Sequence, residues 1–167
     1  MRVDPVDVRD IVDRPGSSRE VHLEEGIEGL ATELAAVPAE APVRIDVLLE
    51  SIVEGILVSG PVSGTVTYRC ARCLTDFTDR FEVEVTELFT RSAQDDEGEE
   101  YPIAEGVIDL EPMVRDAVLL SLPFSPLCRP DCRGLCERCG GNRNLGECTC
   151  PPPTDHRWDA LGDLDLD

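Results

Sequence analysis

The 167-residue chain contains no lysine, so all fifteen of its permanently basic side chains are arginine. Genomic base composition is enough to produce that bias, and no function attaches to it. Histidine is almost as scarce. His22 and His156 are the only two, which leaves little material for a Ser-His-Asp or Cys-His catalytic centre. No stretch of about 18 consecutive apolar residues occurs, so no membrane-spanning helix is expected. The N-terminal Met1-Arg2-Val3-Asp4-Pro5 lacks the apolar core of a secretory signal. The chain therefore reads as cytoplasmic, where reductants hold thiols free and a disulfide framework is not expected. Positive charge is in short supply as well. A net charge of −20 keeps the protein soluble and repels polyanions, which argues against general nucleic-acid binding.

Against this background stand eight cysteines. Six lie between Cys128 and Cys150, and the other two form Cys70-Ala71-Arg72-Cys73 more than fifty residues upstream. Eight sulfurs suit two closed tetrahedral zinc sites, because a structural zinc takes four soft ligands and keeps no open position for substrate. Cys136-Glu137-Arg138-Cys139-Gly140 has the spacing of a zinc knuckle, with glycine where the backbone must turn. Cys148-Thr149-Cys150 has period-two spacing, so both sulfurs face one way in an extended segment. The eight-residue loop between these pairs is long enough to fold back, giving one local site of Cys136, Cys139, Cys148 and Cys150. By exclusion, Cys70 and Cys73 share a second zinc with Cys128 and Cys132. That site closes a long loop, where a cross-link constrains the unfolded chain most.

Periodicity organises the rest. Residues 1–20 hold a short apolar run, Val6 to Val12, that can pair as an edge strand or stay loose. Ile27, Leu30, Ala31, Leu34 and Ala35 recur with helical spacing, and Val37-Pro38 ends that expected helix. Val43, Ile45, Val47 and Leu49 alternate as a half-buried strand. An apolar run from Ile52 to Val58 leads through Ser59-Gly60-Pro61 into a strand, Val62 to Tyr68, that delivers Cys70. Phe81, Val83 and Val85 mark the strand leaving Cys73, so the pair caps a hairpin. Asp95 to Glu100 reads as a solvated loop. Asp109 is expected to N-cap a helix with Pro112 in its first turn and an apolar stripe of Met113, Val114, Ala117, Val118 and Leu120. Leu122-Pro123 stops it. The expected fold class is α+β: an antiparallel β-sheet domain with packed helices over residues 1–127, a cysteine-rich zinc-knuckle module over 128–153, and an acidic tail over 154–167 with Trp158 and Leu161 as its one anchor.

Other chemistry can be read at the same residues. Cys70 and Cys73 can be read as a redox pair, but a thioredoxin-like motif sits at a helix N-terminus and the flanks here read as strands. A zinc-dependent redox chaperone would repeat its C-x-x-C-x-G module, and this chain does not. His22-Leu23-Glu24 matches the H-x-E of zinc deaminases without the P-C-x-x-C partner, so a deaminase is rejected and His22 is taken as a helix-flanking residue. Arg129, Arg133, Arg138 and Arg143 sit among the C-terminal cysteines. They either offset sulfur charge, about −2 for each filled four-thiolate site, or contact RNA.

Taken in order, the cysteine pairs, Leu74, Ile108-Asp109-Leu110, Leu122-Pro123, Pro126-Leu127-Cys128, Asp131 to Cys136, Gly140 and Asn142-Arg143-Asn144 resemble the YceD family of large ribosomal RNA subunit accumulation proteins, in its long form. The likeness spans about residues 40–165 and departs at Asp155-His156-Arg157-Trp158, where the family usually has Asp-Pro-Arg. Short members keep the upstream pair and a Cys/His pair after the helix, which supports the same division of the sulfurs. The resemblance implies a cytoplasmic factor needed for accumulation of 23S ribosomal RNA in large-subunit biogenesis. Two activities fit it. A non-enzymatic factor binds a basic large-subunit ribosomal protein or assembly intermediate, or the arginine-studded module contacts precursor 23S rRNA directly. A nuclease fits less well, because no carboxylate cluster at metal spacing is evident.

Overall fold

The computed structural model describes residues 3–91 and 101–151. The acidic run 95–100, His156 and the tail with Trp158 and Leu161 lie outside them. In chain order the elements are β1 (Val6–Asp7), β2 (Ser18–Glu25), β3 (Ala35–Ala36), β4 (Val43–Ser51), β5 (Gly55–Arg69), β6 (Asp76–Thr90), β7 (Tyr101–Pro102), β8 (Val107–Ile108) and α1 (Glu111–Ser121). The main sheet has the order β2-β4-β5-β6-β7, with β3 also paired to β5, and β1 pairs with β8 in a second, two-stranded sheet. Every pairing is antiparallel except β6 with β7, where Phe89 faces Tyr101 in parallel register and the two rings stack at 5.2 Å.

The fold is more β-rich than the expected α+β arrangement with several packed helices. Among the described residues α1 is the one α-helix. The helix expected from Ile27 does not form. Residues 18–25 pair one for one with Glu50 down to Val43, so β2 takes up the chain as far as Glu25. Gly26 and Gly29 then interrupt any helix, Gly29 with φ +74°. Ile27 and Leu30 are nonetheless fully buried, so their apolar spacing records core-filling by a loop. His22 accordingly stands within a strand and flanks no helix.

β5 and β6 build the hairpin that matters for the site. Each runs 15 residues, about 50 Å at strand rise, paired from Gly55–Thr90 to Arg69–Asp76. Ser59-Gly60-Pro61 does not end β5. The ladder to β4 skips Asp46 and Val47 there, because proline brings no N–H, while pairing to β6 continues unbroken.

One sheet face carries Val43, Ile45, Val47, Leu49, Ile56, Val58, Val62, Val66, Val85 and Phe89, all buried. α1 covers it with Met113, Val114 and Val118, and Val3, Val8, Ile11 and Val12 join the same core. The N-terminal run thus pairs briefly as β1 and then buries. Leu120, expected on the buried stripe, is 85% exposed. The helix starts one residue later than expected: Leu110 takes the N-cap position, and Asp109 Oδ1 accepts from the Glu111 N–H at 3.0 Å.

The opposite face has no layer of helices among the described residues. By strand register it presents Glu20, Glu24, Asp46, Glu50, Asp76, Glu82 and Glu84 against Arg44, Arg69 and Arg80. Directly opposed residues pair across strands: His22 with Asp46 at 2.7 Å, Arg44 with Glu24 at 2.7 Å, and Arg69 with Asp76 at 2.8 Å. The hydrogen bond to Asp46 raises the pKa of His22. Such exposed pairs add little stability but favour the register.

Gly60 has φ +145°, and a Cβ there would run into the Asp46 carbonyl oxygen. Gly60→Ala is expected to destabilise the protein by about 1–3 kcal/mol, read from the urea midpoint. An unchanged midpoint would show that the β4–β5 gap absorbs the methyl group.

Candidate metal centres

The turn that joins β5 to β6 is closed by two backbone hydrogen bonds, Leu74 N–H to Cys70 O at 2.9 Å and Cys70 N–H to Thr75 O at 3.0 Å. The turn after Cys136 repeats the first of these, with Gly140 N–H on Cys136 O at 2.8 Å. Gly140 takes φ +72° in that position. Leu74 occupies the matching place upstream at φ +58°, a conformation that costs a non-glycine residue about 1–2 kcal/mol.

The chain after α1 comes back to the hairpin tip. Ala71 N–H donates to Pro126 O at 2.8 Å, Leu135 N–H to Arg72 O at 3.0 Å, and the Arg72 guanidinium to Cys132 O at 3.0 Å. Gly134 fits against the Arg72 carbonyl at φ +69°, where a Cβ would sit 3.0 Å from that oxygen. These contacts place Cys70 Sγ 3.7 Å from Cys132 Sγ and Cys73 Sγ 3.6 Å from Cys128 Sγ. The ligand atoms of Cys70, Cys73, Cys128 and Cys132 all lie within 4.8 Å of one another, as do those of Cys136, Cys139, Cys148 and Cys150. Phe77, Leu127 and Leu135 pack round the first group. The second is more open, with Cys139 exposed and Cys148 and Cys150 half-buried.

The thiols within each tetrad are driven apart in acidity. Burial pushes Cys70 up, but N–H donors from Cys128, Cys73 and Arg72 outweigh it and bring the thiol to about 6. The backbone N–H groups of Cys139 and Arg138 bring Cys136 to about 5. Burial and the neighbouring sulfurs hold Cys128 at about 12, and Cys139 and Cys148 do the same to Cys150. Four thiolates this close cannot all ionise without a cation between them. Four soft ligands at this separation fit a metal ion of tetrahedral preference, so each tetrad can hold one. The Cys70–Cys73 pair crowns a β-hairpin, not the helix N-terminus of a thioredoxin-like site.

A family model described as Large ribosomal RNA subunit accumulation protein YceD matches residues 58–165, the stretch that carries all eight cysteines. The chain belongs to the YceD family. An uncharacterized protein of Mycobacterium tuberculosis is 43% identical over 141 residues, which cover 81% of this chain and 68% of the relative. One of Mycobacterium leprae is 34% identical over 143 residues, covering 80% and 64%. A maize protein named as a chloroplastic YCED homologue for large ribosomal RNA subunit accumulation is 40% identical over 53 residues, covering 31% of this chain and 18% of its own. No solved structure matches.

In this YceD-family protein the four C-terminal arginines are not equivalent. Cys136 and Cys148 raise the pKa of Arg143. Arg129 donates to Asn144 Oδ1 at 2.8 Å and lies 3.5 Å from Asp131. The side chains of Arg133 and Arg138 make no hydrogen bond or ion pair among the described residues. Sequence reasoning missed Arg72 and Asn144 as site residues. Asn144 belongs to the Asn142-Arg143-Asn144 motif between Cys139 and Cys148, but its partner sulfur is Cys132, on the other tetrad.

Metal loading must displace protons, chiefly from the thiols pushed up, Cys128 and Cys150, and less from those pushed down, Cys70 and Cys136. Protons compete most at low pH, so metal affinity is expected to rise with pH. Calorimetric titration at pH 7 in buffers of different ionisation enthalpy should show net proton release. Binding without release would exclude these thiols as the ligands.

Proposed function

We propose that this protein acts without catalysis in the accumulation of 23S rRNA and the biogenesis of the large ribosomal subunit. It does so by binding a basic protein of that subunit or an assembly intermediate. In this reading each cysteine tetrad holds one structural zinc ion, and the protein works in the cytoplasm. The family's name supports the process. The observation that supports the mode of action is the outer face of the sheet. Its carboxylates outnumber its guanidiniums, and Glu50, Glu82 and Glu84 make no ion pair among the described residues, on a chain of net charge −20. A face of this charge attracts a cationic surface and repels a phosphate backbone. Closed four-thiolate sites suit a scaffold, since they keep no position free for substrate.

Direct contact with precursor rRNA is the second reading, and the uncommitted Arg133 and Arg138 favour it. Two arginines can neutralise few phosphates, so such contact would show a shallow salt dependence.

The test is capture of large-subunit ribosomal proteins and precursor rRNA by the native, metal-loaded protein across a salt series. A basic protein partner should associate rapidly at low salt and weaken as screening shortens to about 8 Å at physiological ionic strength. Glu82→Arg with Glu84→Arg should slow association by about tenfold at low salt. Tight binding of naked precursor 23S rRNA, lost when Arg133 and Arg138 are changed, would reverse this ranking.

A further inference from the structure

The loop that closes the second tetrad also reaches the first. Asn144 lies between Cys139 and Cys148, yet its Nδ2–H group is 3.4 Å from Cys132 Sγ of the other tetrad. The orientation of that amide is set by its partners. Oδ1 accepts from the Arg133 N–H and from the Arg129 guanidinium, both at 2.8 Å, so only the nitrogen end is left for the sulfur and for Asn142 Oδ1 at 2.9 Å. The preceding residue faces the other way, since the Arg143 guanidinium is favoured electrostatically by Cys136 and Cys148. Neighbouring side chains on one loop thus act on opposite sulfur clusters. The loop backbone is tied to the segment between the clusters as well, with Arg143 N–H on Gly134 O at 3.0 Å and Leu135 bridged to Asn142.

We propose that the two tetrads are one cooperative metal unit, coupled through Asn142-Arg143-Asn144. The inference rests on the reading that both tetrads bind metal. An ion at the second tetrad fixes Cys139 and Cys148, and with them the ends of the loop that carries Asn144. The amide is then held in place to donate to Cys132 Sγ. An N–H donor to a metal-bound thiolate disperses its charge, and loss of such an outer partner typically costs about 10–100-fold in metal affinity. Filling the second tetrad therefore raises the affinity of the first. By linkage, filling the first raises that of the second by the same factor. Asn144 is a positioning residue here, and it ligates nothing.

The experiment titrates the full-length, reduced protein with Co²⁺ and then Zn²⁺ against a competing chelator. Native mass spectrometry counts chains with zero, one and two ions, and cobalt–thiolate absorption reports coordination. In the wild type the one-ion species should fall below the independent-site value at half-saturation. Asn144→Ala and Asn144→Asp keep all eight thiols but remove the donor. Asp also keeps an acceptor for Arg133 and Arg129, while Ala adds no charge. Both should raise the one-ion population and weaken the first tetrad about tenfold. Cys148→Ser, which disables the second tetrad, should weaken the first to a similar extent. Combined with Asn144→Ala it should cost little more, because both changes remove the same interaction. Two ions bound with independent-site statistics, or additive losses in the double variant, would overturn the coupling and leave the metal reading intact. A chain that takes up no metal would overturn that reading itself.

Discussion

Among the described residues, the segment that follows the helix is positioned by one meeting of chain segments, the Cys70–Cys73 turn against residues 126–135. The sheet closes its core with α1 and the N-terminal run, but a hairpin of two 15-residue strands carries its tip to where few apolar neighbours can hold anything. What holds it is backbone pairing at Ala71, Arg72 and Leu135, together with four sulfurs crowded inside 4.8 Å. Crowded thiols repel as they ionise, so the same geometry that assembles the tip creates a demand for a cation. The long hairpin, the close approach at Gly134 and the split in thiol acidity answer to that single constraint.

Charge is arranged round it in two zones. Near the sulfurs, guanidiniums and N–H groups face inward: Arg143 on its tetrad, Arg72 on the Cys132 carbonyl, and Arg129 on the amide that in turn reaches Cys132. Away from them, the open sheet face is carboxylate-rich. Arg72 and Arg129 are thus committed inside the cysteine region, while carboxylates outnumber guanidiniums on the open sheet face.

Much of this was legible in the residues. Val43 to Leu49 reads as a strand because its alternation matches the pleat, and it is β4. The sulfur spacing already divides the eight cysteines into the two groups that the fold brings together. What escaped depends on distant partners. Residues 18–25 become β2 because Val43–Glu50 lies opposite, and that pairing removes the start of the helix which Ile27 and Leu30 suggest. Pro61 looks like a strand end, yet it interrupts pairing on one side only, and β6 on the other side carries β5 through. The contacts of Arg72 and Asn144 with Cys132 join residues 60 and 12 positions apart. No local period encodes them.

The separation of Cys73 from Cys128 has a consequence for the protein as it is made. The intervening 55 positions are translated in several seconds at about 5–20 residues per second. Throughout that interval the hairpin can pair, since β5 and β6 are adjacent in sequence, but its two tip sulfurs have no counterpart. They stand close together without the Cys128 and Cys132 sulfurs until residues 126–135 have followed. The hairpin tip is thus latched by a segment made after the sheet and its covering helix, so the order of synthesis leaves the Cys70–Cys73 dithiol as the last part of the arm to find its partners.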